Sequence, residues 1–379
     1  FRSGHRFGFF PSASVGWRIS EEPFFGNLKK NIDNVKLRLS YGSLGNQQVG
    51  YYDYIQTINT NGTMNYIFGD QKKGSYASVS DPNSADLTWE TVSTWNVGLD
   101  LGFLNNRLNL TADAYVRDTK GMQTSGKKLP GAYGANEPKQ NAANLRTKGC
   151  ELMLTWNDAF KLANKPFRYN LSVGLADNTS EITKFDNPSK ILSDYYVGQK
   201  LGDIWGYVVD GLFRTDEEAA NYNVDQTAVN FVINTAQVNP GLHAGDMKFV
   251  DLDGDHTISS GSNTADDPGD RKIIGNSLPR YTYSIQGGFD WYGFDFSIYL
   301  QGVGHQDWYP GTNSVFFWGP YARPYSSFIP RDFLSQVWSP ENPDAYFPRP
   351  IGYLALGNNR SLGVVNDRYL QNLAYCRVK

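Results

Sequence analysis

The sequence predicts an all-β protein, an antiparallel transmembrane β-barrel segment with long extracellular loops. Three observations lead to this fold class. Apolar and polar residues alternate strictly in many segments, and the connections between these segments are alternately short and very long. Aromatic residues are also abundant, with 9 Trp, 24 Tyr and 22 Phe among 379 residues. Such residues favour strands, and no stretch approaches the 18 consecutive apolar residues that a membrane-spanning helix needs.

The clearest alternation forms a hairpin around Asn105 and Asn106. Apolar residues occupy every second position from Trp95 to Phe103, and the pattern resumes from Leu108 to Val116. Similar patterns predict about nine strands, each near the roughly 9–11 residues that cross a bilayer when tilted. The predicted strands span residues 11–19, 35–43, 90–103, 107–118, 147–157, 167–178, 280–291, 294–303 and 368–379.

The connections follow a rule. Short links after Phe103, Trp156 and Trp291 alternate with long loops at residues 44–88, 119–146, 178–279 and 303–367. Transmembrane barrels have tight periplasmic turns and long external loops, whereas long structureless loops are uncommon in compact domains. Alternation alone fits a soluble barrel as well, with its apolar face turned inward. Aromatic residues at strand ends favour the membrane, because aromatic girdles lie at headgroup level. They are Trp89, Trp95, Phe103, Trp156, Phe167 and Trp291.

Charge and cysteine content exclude some functions. The 35 basic and 38 acidic side chains nearly balance, so we expect no nucleic-acid partner. Cys150 and Cys376 both lie in predicted strands, far apart in sequence. We expect two buried free thiols, with a disulfide as the alternative, and no cysteine-based metal or redox site.

Seven short motifs occur in one order along nearly the whole chain. They lie at Gly8–Ile19, Leu37–Gln47, Leu87–Glu90, Gly198–Phe213, Gly245–Asp251, Ile273–Asn276 and Trp338–Pro343. Together they resemble the SusC/RagA-like branch of TonB-dependent outer-membrane receptors, which is found in Bacteroidota. Each motif is weak by itself, but the ordered set is specific.

The resemblance implies the C-terminal part of a 22-stranded barrel with a plugged lumen. Family members begin with a signal peptide, a TonB-box segment and a plug domain, and they continue beyond Lys379 with further strands. We therefore expect this chain to be a piece cut from a longer protein, without the plug domain and signal peptide.

The function implied by the resemblance is active import of large nutrients, either oligosaccharide or peptide, across the outer membrane of a Gram-negative bacterium. The implied partners are a SusD-like surface lipoprotein and outer-membrane lipid. The TonB–ExbB–ExbD complex would act through the missing N-terminal part.

An aspartate-rich loop is the strongest local motif. Asp251, Asp253 and Asp255 stand at every second position, and Thr257 offers a backbone carbonyl, as in loops that bind Ca²⁺. The loop is not an EF-hand, since His256 and Ser262 stand where that motif has Gly and Glu. A replacement ligand would come from Asp266, Asp267 or Asp270. The alternative is a tight turn closed by side-chain-to-backbone hydrogen bonds.

The last long loop contains a second candidate site, rich in aromatic residues. Its members are Trp308, Tyr309, Phe316, Phe317, Trp318, Tyr321 and Tyr325. In a nutrient receptor such rings would contact the ligand or the lipoprotein lid. The alternative is that they pack against one another, because a loop of this length needs its own small core.

Catalysis finds little support in the sequence, so we expect no enzyme. The chain contains no Gly-x-Ser-x-Gly, His-Glu-x-x-His or Cys-x-x-Cys motif, and its four histidines are scattered. Two alternatives to the importer stay open. One is a soluble secreted glycan-binding β protein with a calcium loop, and the other is a β-rich glycoside hydrolase.

Overall fold

A computed structural model describes residues 3–26, 28–47, 55–69, 72–84, 86–126, 130–230, 242–322, 329–350 and 362–379. The strands up to the second long connection are β1 (Ser12–Arg18), β2 (Ile32–Asn46), β3 (Ile58–Phe68), β4 (Lys72–Val79), β5 (Glu90–Phe103), β6 (Leu108–Ser125), β7 (Lys139–Leu162) and β8 (Lys165–Lys184). The remaining strands are β9 (Asp203–Tyr207), β10 (Val209–Leu212), β11 (Met247–Phe249), β12 (Arg271–Asn276), β13 (Arg280–Trp291), β14 (Phe294–His305), β15 (Asp307–Trp308), β16 (Gln371–Asn372) and β17 (Tyr375–Val378).

Four short α-helices in the described residues lie among these strands. They are α1 (Asp216–Ala220), α2 (Thr227–Asn230), α3 (Val315–Trp318) and α4 (Phe333–Gln336). In the described ranges, no helix has the length and apolarity needed to cross a membrane.

Nine strands form one sheet in the order β1-β2-β5-β6-β7-β8-β13-β14-β17. All neighbours in this sheet are antiparallel. The predicted antiparallel all-β architecture is therefore confirmed. The register places apolar positions of adjacent strands side by side. One such row contains Leu37, Leu99, Ala112, Leu152, Leu175 and Tyr283, each paired with the next.

Because side chains alternate across a strand, this register gives the sheet an apolar face and a polar face. The apolar face carries Leu171 and Phe296, whose side chains are 44% and 51% exposed. In a soluble sandwich, a second layer would cover such residues. Here the sheet presents them to its surroundings.

Several predicted strands are longer in the structure. The strand predicted at 147–157 extends from Lys139 to Leu162, and the one predicted at 107–118 extends to Ser125. The predicted loop at 119–146 is thus largely a continuation of this hairpin, down to the pair Ser125–Lys139. Its strands are polar on both sides, so hydrophobic alternation does not reveal them.

The other predicted long loops are also structured. Residues 44–88 contain the β3–β4 hairpin, residues 178–279 contain β9 to β12, and residues 303–367 contain β15 and two helices. The predicted strand 368–379 is also corrected. Only Tyr375–Val378 joins the main sheet, while Gln371–Asn372 pairs with β15. The two parts are separated by a turn that Asn372 Oδ1 closes by accepting from the Ala374 N–H at 2.8 Å.

Cys150 and Cys376 are free, and both are exposed rather than buried as expected. The reason is the register. Cys150 pairs with Ala114 and Cys376 pairs with Gly302, so both thiols lie on the uncovered apolar face.

The hydrophobic core lies away from the sheet, in what we call the loop subdomain (the described residues of 185–279 and 306–373). Its buried members come from both long segments, so the two segments fold together. They are Tyr207, Leu212, Val229, Met247, Phe249, Ile258, Trp318, Tyr321, Val337, Phe347, Leu362 and Tyr369. The subdomain is joined to the end of β8, where the N–H groups of Ile182 and Leu201 donate to carbonyls across the junction at 2.9 and 2.8 Å.

Candidate functional site

The polar face of the main sheet carries a three-strand ion-pair cluster. The Arg38 guanidinium makes two hydrogen bonds to Asp100 at 2.9 and 3.0 Å and two to Asp113 at 2.9 and 2.8 Å. Each carboxylate therefore receives a bidentate contact, which is the strongest geometry for such a pair. Gly98 lies opposite Arg38 in the register, which leaves room for the guanidinium. The cluster fixes β2, β5 and β6 relative to one another.

The same face forms a polar groove near the short turns. It encloses about 720 Å³ and is lined by residues of β7, β8, β13 and β14. Its polar side chains include Asn157, Asn170, Gln286, Asp290 and Asp295. The hydrogen-bonding groups along this groove suit water or a polar partner.

The structure divides the aromatic-rich loop into two groups. Trp318 and Tyr321 are 1% exposed and belong to the core of the loop subdomain, with Tyr309 and Phe317 packed against it. The Trp318 ring lies 5.3 Å from Tyr369 and 4.8 Å from Phe317, measured between ring centroids. These rings pack the loop, which is the alternative that the sequence left open.

Polar atoms of these core rings are satisfied internally. The Tyr309 hydroxyl lies 2.9 Å from the Val364 carbonyl, and the Tyr321 hydroxyl donates to the Pro348 carbonyl at 2.5 Å. Burial raises the pKa of both phenols, so both stay neutral donors. Their contacts hold distant parts of the 306–373 segment together.

Phe316 and Trp308 form the second group. Phe316 is 99% exposed although Phe317 and Trp318 beside it are packed, and Trp308 is 40% exposed. These two rings are available to a partner or ligand. Tyr325 lies outside the described residues.

In the aspartate-rich loop, the carboxylates accept hydrogen bonds from the loop's own backbone. Asp251 accepts from the N–H groups of Gly254 and His256 at 2.7 and 2.9 Å, and Asp255 accepts from Thr257 at 2.7 Å. Gly254 has a φ of 81°, in the left-handed region that favours glycine. These bonds are those of a closed Asx-type turn.

The carboxylates that lie close together differ from the three, Asp251, Asp253 and Asp255, that the sequence predicts as cation ligands. Oxygen atoms of Asp251, Asp253 and Asp270 lie within 4.8 Å of one another, and these three are the residues placed to hold a cation. Asp255 is not part of this group of carboxylates.

Asp270, which the sequence offered only as one of three replacements, is fully buried. Its two oxygens accept from the N–H groups of Leu252 and Ser259, both at 2.7 Å. Burial raises the pKa of Asp270, against these two hydrogen bonds, and the charges of Asp253 and Asp251 raise it further. A bound cation would remove that repulsion.

Two polar contacts in the loop subdomain escaped sequence reasoning. Buried Asp246 accepts from Arg349 at 2.5 and 3.1 Å, across 103 residues of chain. Buried Gln226 donates to the Met247 carbonyl at 2.7 Å and accepts from the Phe249 N–H at 3.2 Å. Asp246 lies inside the Gly245–Asp251 motif, which was a signal of its importance, but nothing in the sequence indicated its partner.

Residues 2–326 match the family model described as TonB dependent receptor-like, beta-barrel. The chain is 32% identical over 313 residues to the TonB-dependent receptor SusC of Bacteroides thetaiotaomicron, covering 79% of this chain and 28% of SusC. It is 29% identical over 321 residues to the TonB-dependent receptor P39 of Formosa agariphila, covering 79% of this chain and 29% of P39. The chain thus spans less than a third of the length of either relative.

Among solved structures, the chain is similar to one of the RagAB peptide importer in an open-open state. The TM-score is 0.69 at 19% identity, and the match covers 100% of this chain and 36% of the other. At this identity the similarity concerns the fold. It shows that the nine-stranded sheet corresponds to part of a larger barrel.

Proposed function

The chain belongs to the TonB-dependent receptor-like β-barrel family, and from this we propose that it is a segment of an active importer of large nutrients in a Gram-negative outer membrane. The expected family resemblance to SusC/RagA-like receptors is confirmed by the relatives. The membrane location, the transport activity and the partners are properties of the full-length protein, and we propose them on the basis of this family.

The observation that carries the proposal is the two-faced sheet, whose apolar side chains are exposed in the described part of the chain. On β8 the apolar face begins at Phe167 and continues through Leu175 to the first charged residue, Asp177. Ten residues span about 33 Å along a strand, or about 25 Å across a bilayer at a tilt of about 40°. This height equals the apolar band of outer-membrane barrels, about 25 Å.

Aromatic residues support the same placement. Phe160, Phe167, Trp291 and Phe294 pair in sequence across β7, β8, β13 and β14, near the short turns. The Phe167 and Phe289 rings stack with centroids 5.3 Å apart. A row of rings at one end of the apolar face is suited to a headgroup interface, where amphipathic aromatic side chains collect. The polar face, with the Arg38 cluster and the groove, would then line the lumen.

We propose that the loop subdomain lies on the outer side, where it meets a SusD-like lipoprotein and the nutrient. β8 continues from Asp177 to Lys184 beyond the apolar band and meets the subdomain there, so the subdomain lies beyond the end of that band. Phe316 and Trp308 are two of its exposed rings. TonB–ExbB–ExbD would supply energy to the complete protein. Its relatives carry the names of receptors, which favours a transport function without catalysis.

The nutrient is an oligosaccharide or a peptide, and uptake experiments distinguish the two. Deleting the gene should abolish growth on one class as sole carbon source and leave growth on monosaccharides or amino acids unchanged. Complementation with F316A should weaken ligand capture without reducing the amount of protein in the outer membrane. Absence of the protein from the outer-membrane fraction would refute the proposal.

For the aspartate-rich loop we propose Ca²⁺ as the cation, held by Asp251, Asp253 and Asp270. Oxygen ligands of this kind suit a hard cation, and each carboxylate oxygen keeps a second lone pair beyond its backbone hydrogen bond. Ca²⁺ should slow proteolysis within residues 251–270, and D253N should abolish this protection. Equal cleavage with Ca²⁺ and with a chelator would refute the Ca²⁺ site and show that the loop is a turn held by hydrogen bonds alone.

A further inference from the structure

A belt of charged side chains borders the apolar face at the end away from the short turns. On β6, β7 and β8, the apolar run on this face ends at Asp118, Lys148 and Asp177. Arg146 lies one position farther along the same face, opposite Asp118 and Glu181. The belt therefore follows directly on the band that we place in lipid, and this inference rests on the proposed membrane location.

Most charges in the belt are paired. Arg146 donates to Asp118 at 2.7 Å, and Arg280 donates to Asp177 at 2.5 Å. Both arginines are thereby neutralised within the protein.

Lys148 differs from these arginines. Its register neighbours are Val116 on β6 and Thr179 on β8, and it makes no ion pair with the residues that the structure describes. The side chain is exposed. It is two residues beyond Cys150, which is on the same face.

We propose that Lys148 binds a phosphate group of an anionic lipid in the outer leaflet. Its position just beyond an apolar run of about 25 Å corresponds to headgroup level. There its aliphatic stem can lie along apolar surface while the ammonium reaches the headgroups. Lys120, also in the belt and opposite Thr91, adds positive charge on the same face. Charge complementarity therefore selects a phosphate-bearing headgroup over a neutral lipid.

The chain provides a matched control at the same height on the opposite face. Arg117 directly precedes Asp118 on β6, and its register neighbours Thr94 and Thr147 belong to the polar face. Arg117 is also exposed, with its guanidinium 5.4 Å from the centroid of the Tyr115 ring. If Lys148 binds lipid, replacing Lys148 should reduce lipid retention and replacing Arg117 should not.

The test measures lipid retained by the protein after extraction from its native outer membrane in mild detergent. Native mass spectrometry counts phosphorylated lipid per protein for wild type, K148Q, K148E and R117E. One basic side chain near an anionic surface contributes about fivefold in affinity. We therefore expect K148Q to lower retention about fivefold at limiting lipid, K148E to lower it more, and R117E to leave it unchanged.

Equal retention by wild type and K148E would overturn the proposal. An equal loss in R117E would also overturn it, since the effect would not depend on the face. Membrane fractionation of the same cells tests the proposed function separately. Protein in the outer-membrane fraction with unchanged lipid retention refutes only the lipid site, whereas wild-type protein outside that fraction refutes the membrane location itself.

Discussion

Adjacent aromatic residues in helix α3 provide a sharp test of how the loop subdomain is built. Phe316 and Trp318 belong to one aromatic-rich stretch of sequence, yet they are 99% and 1% exposed. The perturbation is therefore a pair of substitutions, W318A and F316A, made in the complete protein in its membrane.

The expected magnitudes follow from burial. A tryptophan buries up to about 250 Å², which corresponds to roughly 6 kcal/mol at 25 cal/mol per Å² as an upper bound. Measured truncations of buried Phe and Trp cost about 3–5 kcal/mol. W318A also removes the contacts with Phe317, Phe347 and Tyr369, so we expect a loss of about 4 kcal/mol. F316A removes no buried surface and should change the free energy of unfolding by less than about 0.5 kcal/mol.

Surface proteolysis measures this difference, because cleavage under mild protease follows the population of the opened state. A loss of about 4 kcal/mol raises the population of the opened state about a thousandfold. If the free energy of unfolding of the subdomain is below about 4 kcal/mol, the subdomain opens completely. F316A should be cleaved within about threefold of the wild-type rate. Similar rates for the two variants would refute the assignment of Trp318 to a core and of Phe316 to a free surface.

Three further predictions concern the faces of the sheet and the polar contacts of the subdomain. L171R, on the apolar face, should lower the free energy of unfolding of the barrel by about 2–4 kcal/mol and reduce the amount of assembled barrel. N170R, on the polar face, should assemble normally. Equal assembly of the two variants would contradict the membrane placement. R349M should lower the stability of the subdomain, measured by hydrogen exchange, by about 2–3 kcal/mol. This loss is smaller than for a fully buried ion pair, because the Arg349 side chain is 28% exposed. An unchanged exchange rate would contradict the pairing of Arg349 with Asp246. Hydrogen bonds from the Thr227 side chain and N–H hold the pKa of Asp225 below its usual range. Its contribution to stability is therefore present above the unfolded-state pKa and is lost as the pH falls through the folded-state pKa. T227A removes the side-chain hydrogen bond and keeps the N–H, so it should reduce this acid-dependent part of the exchange profile, and an unchanged profile would contradict the role of the Thr227 side chain.

The family and the two-faced sheet were predictable because both depend on local patterns. Each strand that crosses the apolar band must present an apolar residue at every second position, and the residues from Trp95 to Phe103 do so. The extension of β7 back to Lys139 was not predictable, since its residues there are largely polar on both sides and no periodicity marks it.

The sequence by itself determined the antiparallel sheet, the apolar face and the family, since strand alternation and ordered motifs are written along the chain. It also identified the aspartate and aromatic loops as unusual. Only the tertiary structure decided which of their residues act together. Trp318 is buried because the segment around Phe347 and Tyr369 folds over it, and Asp270 joins Asp251 because the loop closes on itself. Contacts between distant segments depend on how the whole chain packs, so the pattern of residues within one segment does not predict them.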